Sequence, residues 1–369
     1  MEKLIIKNYK EDMRFKDYIE LEQYSLASKE KEKYFFNLLN NLNEYHLINS
    51  NEYKKISKIY FHLNKNISLI NDFPFLPVSV FKSKLLTSIS QEHIYKILKS
   101  SGTTGSIPSQ IVLDKETASL QTLTLSKIIS HVVGKERLPM IIVDSKSVLK
   151  DRKSFTARGA GILGLSIFGK KHLYTLDDNF GLLKEELREF SKKYNGEKIL
   201  IFGFTFMVWQ YLATTDLDFK IDLSNAILIH SGGWKKLQSM AVDNRTFKKT
   251  LYERFKIQSK NIYNFYGMVE QVGSVFLENS DGYLHCPNFS EVIIRDPKDF
   301  SVLPHGKEGL IQVLSILPKS YPGHSLLTED IGVIIGEDDA SNGWKGKYFK
   351  ILGRTKKAEI RGCSDTFKK

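Results

Sequence analysis

Apolar positions return every three or four residues near the start of the chain, at Phe35, Leu38, Leu39, Leu42, Tyr45 and His46, and predict helices over roughly the first 70 residues. Phe73-Pro74-Phe75-Leu76-Pro77-Val78 then interrupts the period with two prolines. Beyond it, short apolar runs alternate with amphipathic stretches. Gln110–Leu113, Met140–Val143, Ile199–Phe202 and Ala226–Ile229 read as strands. Lys115–Val133, Leu182–Tyr194, the stretch through Val208, Tyr211 and Leu212, and Thr246–Phe255 read as helices. Asp177, Asp178 or Asn179 is expected to cap the second of these. Continuous apolar strands between helices imply a buried, largely parallel α/β sheet. From about residue 280 the pattern changes to short strands joined by Gly, Pro and Asp turns, which predicts a β-rich part. Those strands are Glu291–Arg295, Gly309–Leu314, Ile331–Ile335 and Tyr348–Leu352.

Composition narrows the class. The chain has 369 residues, 41% hydrophobic and 26% charged, which suits a globular protein with a sizeable core. It contains no apolar run of about 18 residues, so no membrane span is expected. Met1–Lys7 lacks the apolar segment of a signal peptide. Two cysteines, Cys286 and Cys363, argue against a disulfide framework and suit a reducing cytoplasm. The net charge of +12 is high, but the lysines are scattered among Asn, Ile and Tyr, so nucleic acid is not the expected partner.

The chemistry begins at Ser100-Ser101-Gly102-Thr103-Thr104-Gly105-Ser106-Ile107-Pro108-Ser109. Glycines let backbone N–H groups turn toward an anion, and the hydroxyls add donors. The Gly-Lys-Ser/Thr ending of a Walker A loop is absent. His230-Ser231-Gly232-Gly233-Trp234-Lys235 follows a buried strand, where ligands of open α/β sheets bind. Asn264-Phe265-Tyr266-Gly267-Met268-Val269-Glu270 follows another predicted strand, Asn261–Tyr263. Leu327-Thr328-Glu329-Asp330-Ile331-Gly332 and Ile351-Leu352-Gly353-Arg354-Thr355-Lys356 complete the series.

In this order the five segments resemble the motifs of adenylate-forming enzymes, which activate carboxylates as acyl-AMP. The resemblance implies the large N-terminal, acyl-CoA synthetase-like domain over residues 1–350, helical in 1–75 and β-rich from about 280, with 351–369 a remnant of a truncated C-terminal part. It also implies ATP and Mg²⁺ as cofactors. Ser100, Ser101, Gly102, Thr103, Thr104 and Gly105 would wrap phosphate, and Ser231, Gly232, Gly233, Tyr266 and Gly267 would receive the adenine. Asp330 and Arg354 would hold the ribose, and Glu270 would hold Mg²⁺, a cation that suits few carboxylates plus phosphate oxygens. Val269, Glu329 and Lys356 stand where the family has Thr, Gly and Asp.

The Pro77-Val78-Ser79-Val80-Phe81-Lys82 segment, Gly232–Lys235 and the ending Gly362-Cys363-Ser364 further resemble the LuxE acyl-protein synthetases of bacterial bioluminescence. That resemblance implies a fatty acid substrate, acyl transfer to Cys363, and delivery to an acyl-accepting reductase or carrier protein. The same core serves ligases that pass an acyl or aryl group to coenzyme A, a carrier protein, a sugar or an amine. Arg361, Lys356 and Lys357 would favour the Cys363 thiolate, whereas Cys286, between His285 and Pro287, reads as a buried small residue. Lys235 and Arg158 are the candidates for neutralising charge during adenylation. Gly159–Phe168 and Gly203–Phe206 either line an acyl channel or belong to the core.

Overall fold

Helical spacing at the start of the chain is realised in α1 (Phe15–Glu20), α2 (Ser28–Asn49) and α3 (Asn51–Phe61), in a computed structural model that describes residues 15–61, 67–100, 107–149, 157–234 and 239–355. β1 (Leu76–Pro77), α4 (Val80–Ser83), β2 (Lys96–Lys99), β3 (Gln110–Leu113) and α5 (Lys115–Val133) follow. Strand and helix then alternate through β4 (Leu138–Ser145), α6 (Ala157–Ser166), β5 (Gly169–Leu176), α7 (Lys184–Lys193), β6 (Ile199–Phe204), α8 (Thr205–Met207), β7 (Ala226–Ser231), α9 (Asn244–Phe255) and β8 (Ile262–Tyr266). The remainder is strand: β9 (Phe276–Glu278), β10 (Leu284–His285), β11 (Ser290–Arg295), β12 (Gly309–Ser315), β13 (Ser325–Glu337) and β14 (Lys347–Arg354).

Two compact units result, one from Met1–Leu98, Ser109–His131 and Gly267–Lys356, the other from Lys99–Pro108, Val132–Tyr266 and Lys357–Lys369. Within the second unit the strands run parallel in the order β8-β7-β6-β4-β5. β4 and β6 are buried along their whole length, as the apolar runs Met140–Val143 and Ile199–Phe202 within them require. α9 is closed at one end by Asp243, whose carboxylate accepts from Thr246 N–H at 2.8 Å, and at the other by Lys256 in the left-handed region.

Three local expectations need correcting. Leu183, not Asp177, Asp178 or Asn179, is the N-cap of α7, because the Asp177 carboxylate is occupied by the N–H groups of Asn179 and Gly181 in a tight turn. Acidic Glu185 and Glu186 at the start of α7 and basic Lys192 and Lys193 at its end complement the helix dipole instead. The helix expected through Val208 leaves α8 in wide π turns over Val208–Ala213. β8 extends to Tyr266, so Asn264–Tyr266 belong to the ladder rather than to the loop after it.

In the first unit the order is β11-β12-β13-β14-β10-β9, antiparallel, with β1 parallel to β13. α2 buries Lys31, Phe35, Leu39, Asn43 and His46, a stripe at helical spacing that carries three polar residues. Each is satisfied. Lys31 Nζ donates to Ser290 O at 2.7 Å and lies 3.1 Å from Glu291 Oε2, while Lys347 Nζ is 3.9 Å from the other oxygen. Burial pushes the Glu291 carboxyl up, but Lys31, Lys347 and the Val292 N–H outweigh it and hold it at about 2. The pair therefore adds stability above the ordinary carboxylate range, and that stability is lost as pH falls through about 2.

Lys31→Met strands this carboxylate with only the more distant Lys347. The expected loss is about 3 kcal/mol in urea unfolding, the low end for a broken buried pair. Adding Glu291→Leu should recover much of it; a double variant as unstable as the single one would show that the stranded charge is not the cause.

Candidate active site

β6, β7 and β8 end side by side in the second unit, with Phe204 opposite Ser231 and Ser231 opposite Phe265. The Ser231 hydroxyl donates to Phe265 O at 2.8 Å, so it ties the two strand ends together and leaves recognition to the backbone that follows. Gly232 and Gly233 then take φ of +91° and +62°. A Cβ at Gly232 would come within 2.7 Å of Phe204 Cδ1, so both conformation and space demand glycine there. Behind this turn lie Trp209, Trp234 and Phe247, with Trp209 and Phe247 stacked at 5.9 Å. Asn264–Tyr266 are half-buried, unlike the fully buried strands beside them. Ser100, at the start of the glycine-rich segment, is also half-buried and in this unit.

Arg158 sits at the start of α6 with Nε 3.1 Å from Asp144 Oδ2 and its guanidinium 5.6 Å from the Phe180 ring centre. Burial pushes Asp144 up to about 6 against the pull of Arg158 and the Ser145 N–H. The Arg158 charge is thus faced by a carboxylate of its own unit. Ile162 and Leu165 of α6 point into the core.

The first unit holds the remaining candidates that are described. Asp330 on β13 lies opposite Arg354 on β14, and Arg354 Nε donates to Asp330 Oδ1 at 2.8 Å. Asp330 is buried, at 7% exposure. The local backbone is pinned: Thr328 Oγ1 donates to Ile311 O and accepts from Asp330 N–H. Glu329, which replaces a glycine of the family pattern, turns to Lys82 Nζ at 3.8 Å. Lys82 is placed by β1, since Pro77 pairs with Leu327 and Val78 N–H donates to Leu327 O.

Gly267 opens this unit's last segment, and Glu270 follows on a single 3₁₀ turn, Val269–Gln271. Burial pushes the Glu270 carboxyl above its usual range, against the pull of the Ser109 hydroxyl, its own N–H, Lys82 and Arg354. Tyr321 Oη donates to Glu270 O at 2.9 Å and fixes the turn. Glu270, Asp330 and Arg354 therefore converge, with Lys82 and Ser109 as companions that the sequence motifs did not single out. Lys82 stood inside a segment noted only for its resemblance, and Ser109 just past the glycines. Ser101, Gly102, Thr103, Thr104, Gly105, Lys235 and Cys363 lie outside the described residues. Cys286 is buried, and burial, with Glu291 beside it, raises its thiol well above the usual range. Among the described residues no group of three or more His, Cys, Asp or Glu could hold a metal ion, and no helix is long and apolar enough to cross a membrane.

Residues 12–369 match the sequence profile of the family described as acyl-protein synthetase, LuxE. The chain belongs to the LuxE family. Two long-chain-fatty-acid–luciferin-component ligases are similar to this LuxE-family chain along most of their length. The Vibrio harveyi protein is 24% identical over 354 residues, covering 93% of this chain and 89% of its own. The Aliivibrio fischeri protein is 24% identical over 336 residues, covering 87% and 84%. Solved structures of a 2-hydroxyisobutyryl-CoA ligase share the fold. The complex with 2-HIB-AMP and CoA in the thioesterification state gives a TM-score of 0.65 at 14% identity, covering 89% of this chain and 69% of that one. The complex with 2-HIB-AMP in the postadenylation state gives 0.63 at 12%. By family this LuxE chain is a ligase, and its fold is that of adenylate-forming enzymes.

Proposed function

We propose that this LuxE-family ligase activates a long-chain fatty acid with ATP as acyl-AMP, takes the acyl group onto its own Cys363, and passes it to a partner such as an acyl reductase or carrier protein. The observation that carries the adenylation step is the Asp330–Arg354 pair converging with buried Glu270. In this reading Asp330 accepts from the ribose hydroxyls and Arg354 holds that carboxylate in place. Tyr266 and the Ser231-Gly232-Gly233 backbone receive the adenine, and Ser100–Gly105 wraps phosphate. A lone carboxylate supplemented by phosphate oxygens suits Mg²⁺. Glu270 would hold the ion, which supplies charge neutralisation on the phosphates. Lys235 would neutralise further charge as it develops.

Atoms balance in two displacements. A carboxylate oxygen of the acid attacks the α-phosphorus and pyrophosphate leaves. The Cys363 thiolate then attacks the acyl carbon, AMP leaves, and a thioester remains, so one hard step becomes two easier ones. The fatty nature of the acid rests on the names of the two Vibrio and Aliivibrio relatives.

The test is intact mass after incubation with ATP, Mg²⁺ and a pool of fatty acids, followed by peptide mapping. An ATP-dependent, hydroxylamine-labile acyl adduct on Cys363 is expected. Pyrophosphate release that needs added coenzyme A, with no adduct, would replace this reading by an ordinary acyl-CoA ligase.

A further inference from the structure

His230 is buried beneath the Ser-Gly-Gly turn, with its ring 4.6 Å from that of Phe247. Thr205 Oγ1, on the first residue after β6, lies 2.9 Å from His230 Nδ1 and 3.1 Å from Ser231 O. A hydroxyl has one proton and two lone pairs. Ser231 O can only accept, so the Thr205 proton goes to it, and His230 must donate to Thr205 from Nδ1. That assigns the tautomer. Nε2 carries no proton, and it has no hydrogen-bond partner among the described residues. A leucine or phenylalanine would fill the same space without leaving a buried nitrogen unsatisfied, so packing alone does not call for this side chain.

The relay crosses two strands. It starts at His230 on β7, passes through Thr205 at the end of β6, and returns to the carbonyl of Ser231, one residue before Gly232. Ser231 in turn donates to Phe265 O on β8, next to Tyr266. We infer that His230 acts through Thr205 as a positioning residue, fixing the Ser231–Gly232 peptide and with it the surface that receives the adenine; this rests on the nucleotide reading above.

The test is ATP affinity by calorimetry, together with KM values for ATP and fatty acid in pyrophosphate exchange. Thr205→Val and His230→Gln break the relay. Thr205→Ser and His230→Asn keep it, because an asparagine amide places a donor where Nδ1 stood and a glutamine does not. The two breaking variants should weaken ATP binding and raise KM for ATP about tenfold, with KM for the acid little changed. The two conservative variants should stay close to the parent. Equal ATP affinity in all four variants overturns the inference alone, as does an equal rise in both KM values. A parent protein that binds no ATP overturns the inference together with the nucleotide reading. Should Thr205→Val fail to fold, the contrast between His230→Asn and His230→Gln decides.

Discussion

Replacing Glu270 by glutamine is expected to lower ATP-dependent pyrophosphate release by about 100- to 1,000-fold, the scale seen when one preorganised charge in a reacting site is lost. Glutamine keeps the shape but cannot neutralise a cation. It also removes an ionisable group whose charged form burial disfavours. Glu270→Gln should therefore melt no lower than the parent, which separates lost function from lost structure. The carboxyl is raised, so in the parent the acid limb of the pH–rate profile should lie above the ordinary carboxylate range, where protons compete with Mg²⁺. Raising Mg²⁺ should move that limb to lower pH. An acid limb that ignores Mg²⁺, or a glutamine variant with near-parent rates, would remove Glu270 from the metal role.

Stability is expected to fall steeply between pH 6.5 and 4. Burial holds His46 and His230 near 3, His285 near 4 and His324 well below its usual value. Unfolded, each takes a proton near pH 6.5. Their folded values are depressed, and the group is a cation when protonated, so the stability they contribute is full above 6.5 and is lost as pH falls. Asp144, raised to about 6, and Glu270 oppose this, because they bind protons more readily in the folded state. His131, also lowered by burial, adds to the histidine side, so unfolding takes up more protons than it releases and stability falls as pH drops through this range. Urea titrations at pH 7, 6 and 5 should show it. His46→Gln should reduce the slope by about one proton, since an amide can still donate to Pro318 O, which faces Nε2 at 2.9 Å. A midpoint that does not move with pH would refute the claim.

Much of this was legible in the chain because short-range periodicity decides it. The apolar runs at 140–143, 199–202 and 226–229 became parallel strands, and Lys115–Val133 became a helix with those bounds. Ser231 fell at the carboxyl end of a strand, as its position after an apolar run required, whereas Tyr266 did so only because β8 runs three residues past the expected Tyr263. What escaped was long-range or competitive. Asp177 offered good capping chemistry, but a nearer turn took its carboxylate, which accepts from the Asn179 and Gly181 N–H groups instead of from the helix. Asp330 and Arg354 read as two separate weak signals until the β13–β14 register set them opposite each other. Lys31 and Glu291 look like surface charges in sequence, since nothing local tells a buried lysine from a solvated one.

That last pair also orders events on the ribosome. The second unit's principal segment, Val132–Tyr266, is continuous, so its parallel strands can close as they emerge. The first unit is interrupted, and the carbonyl that Lys31 needs lies 259 residues downstream. At about 5–20 residues per second, α2 spends on the order of tens of seconds as a helix whose lysine has only water for company. The first unit to be translated is thus the last to be finished, and its apolar stripe is the part of the nascent chain that a chaperone has longest to find.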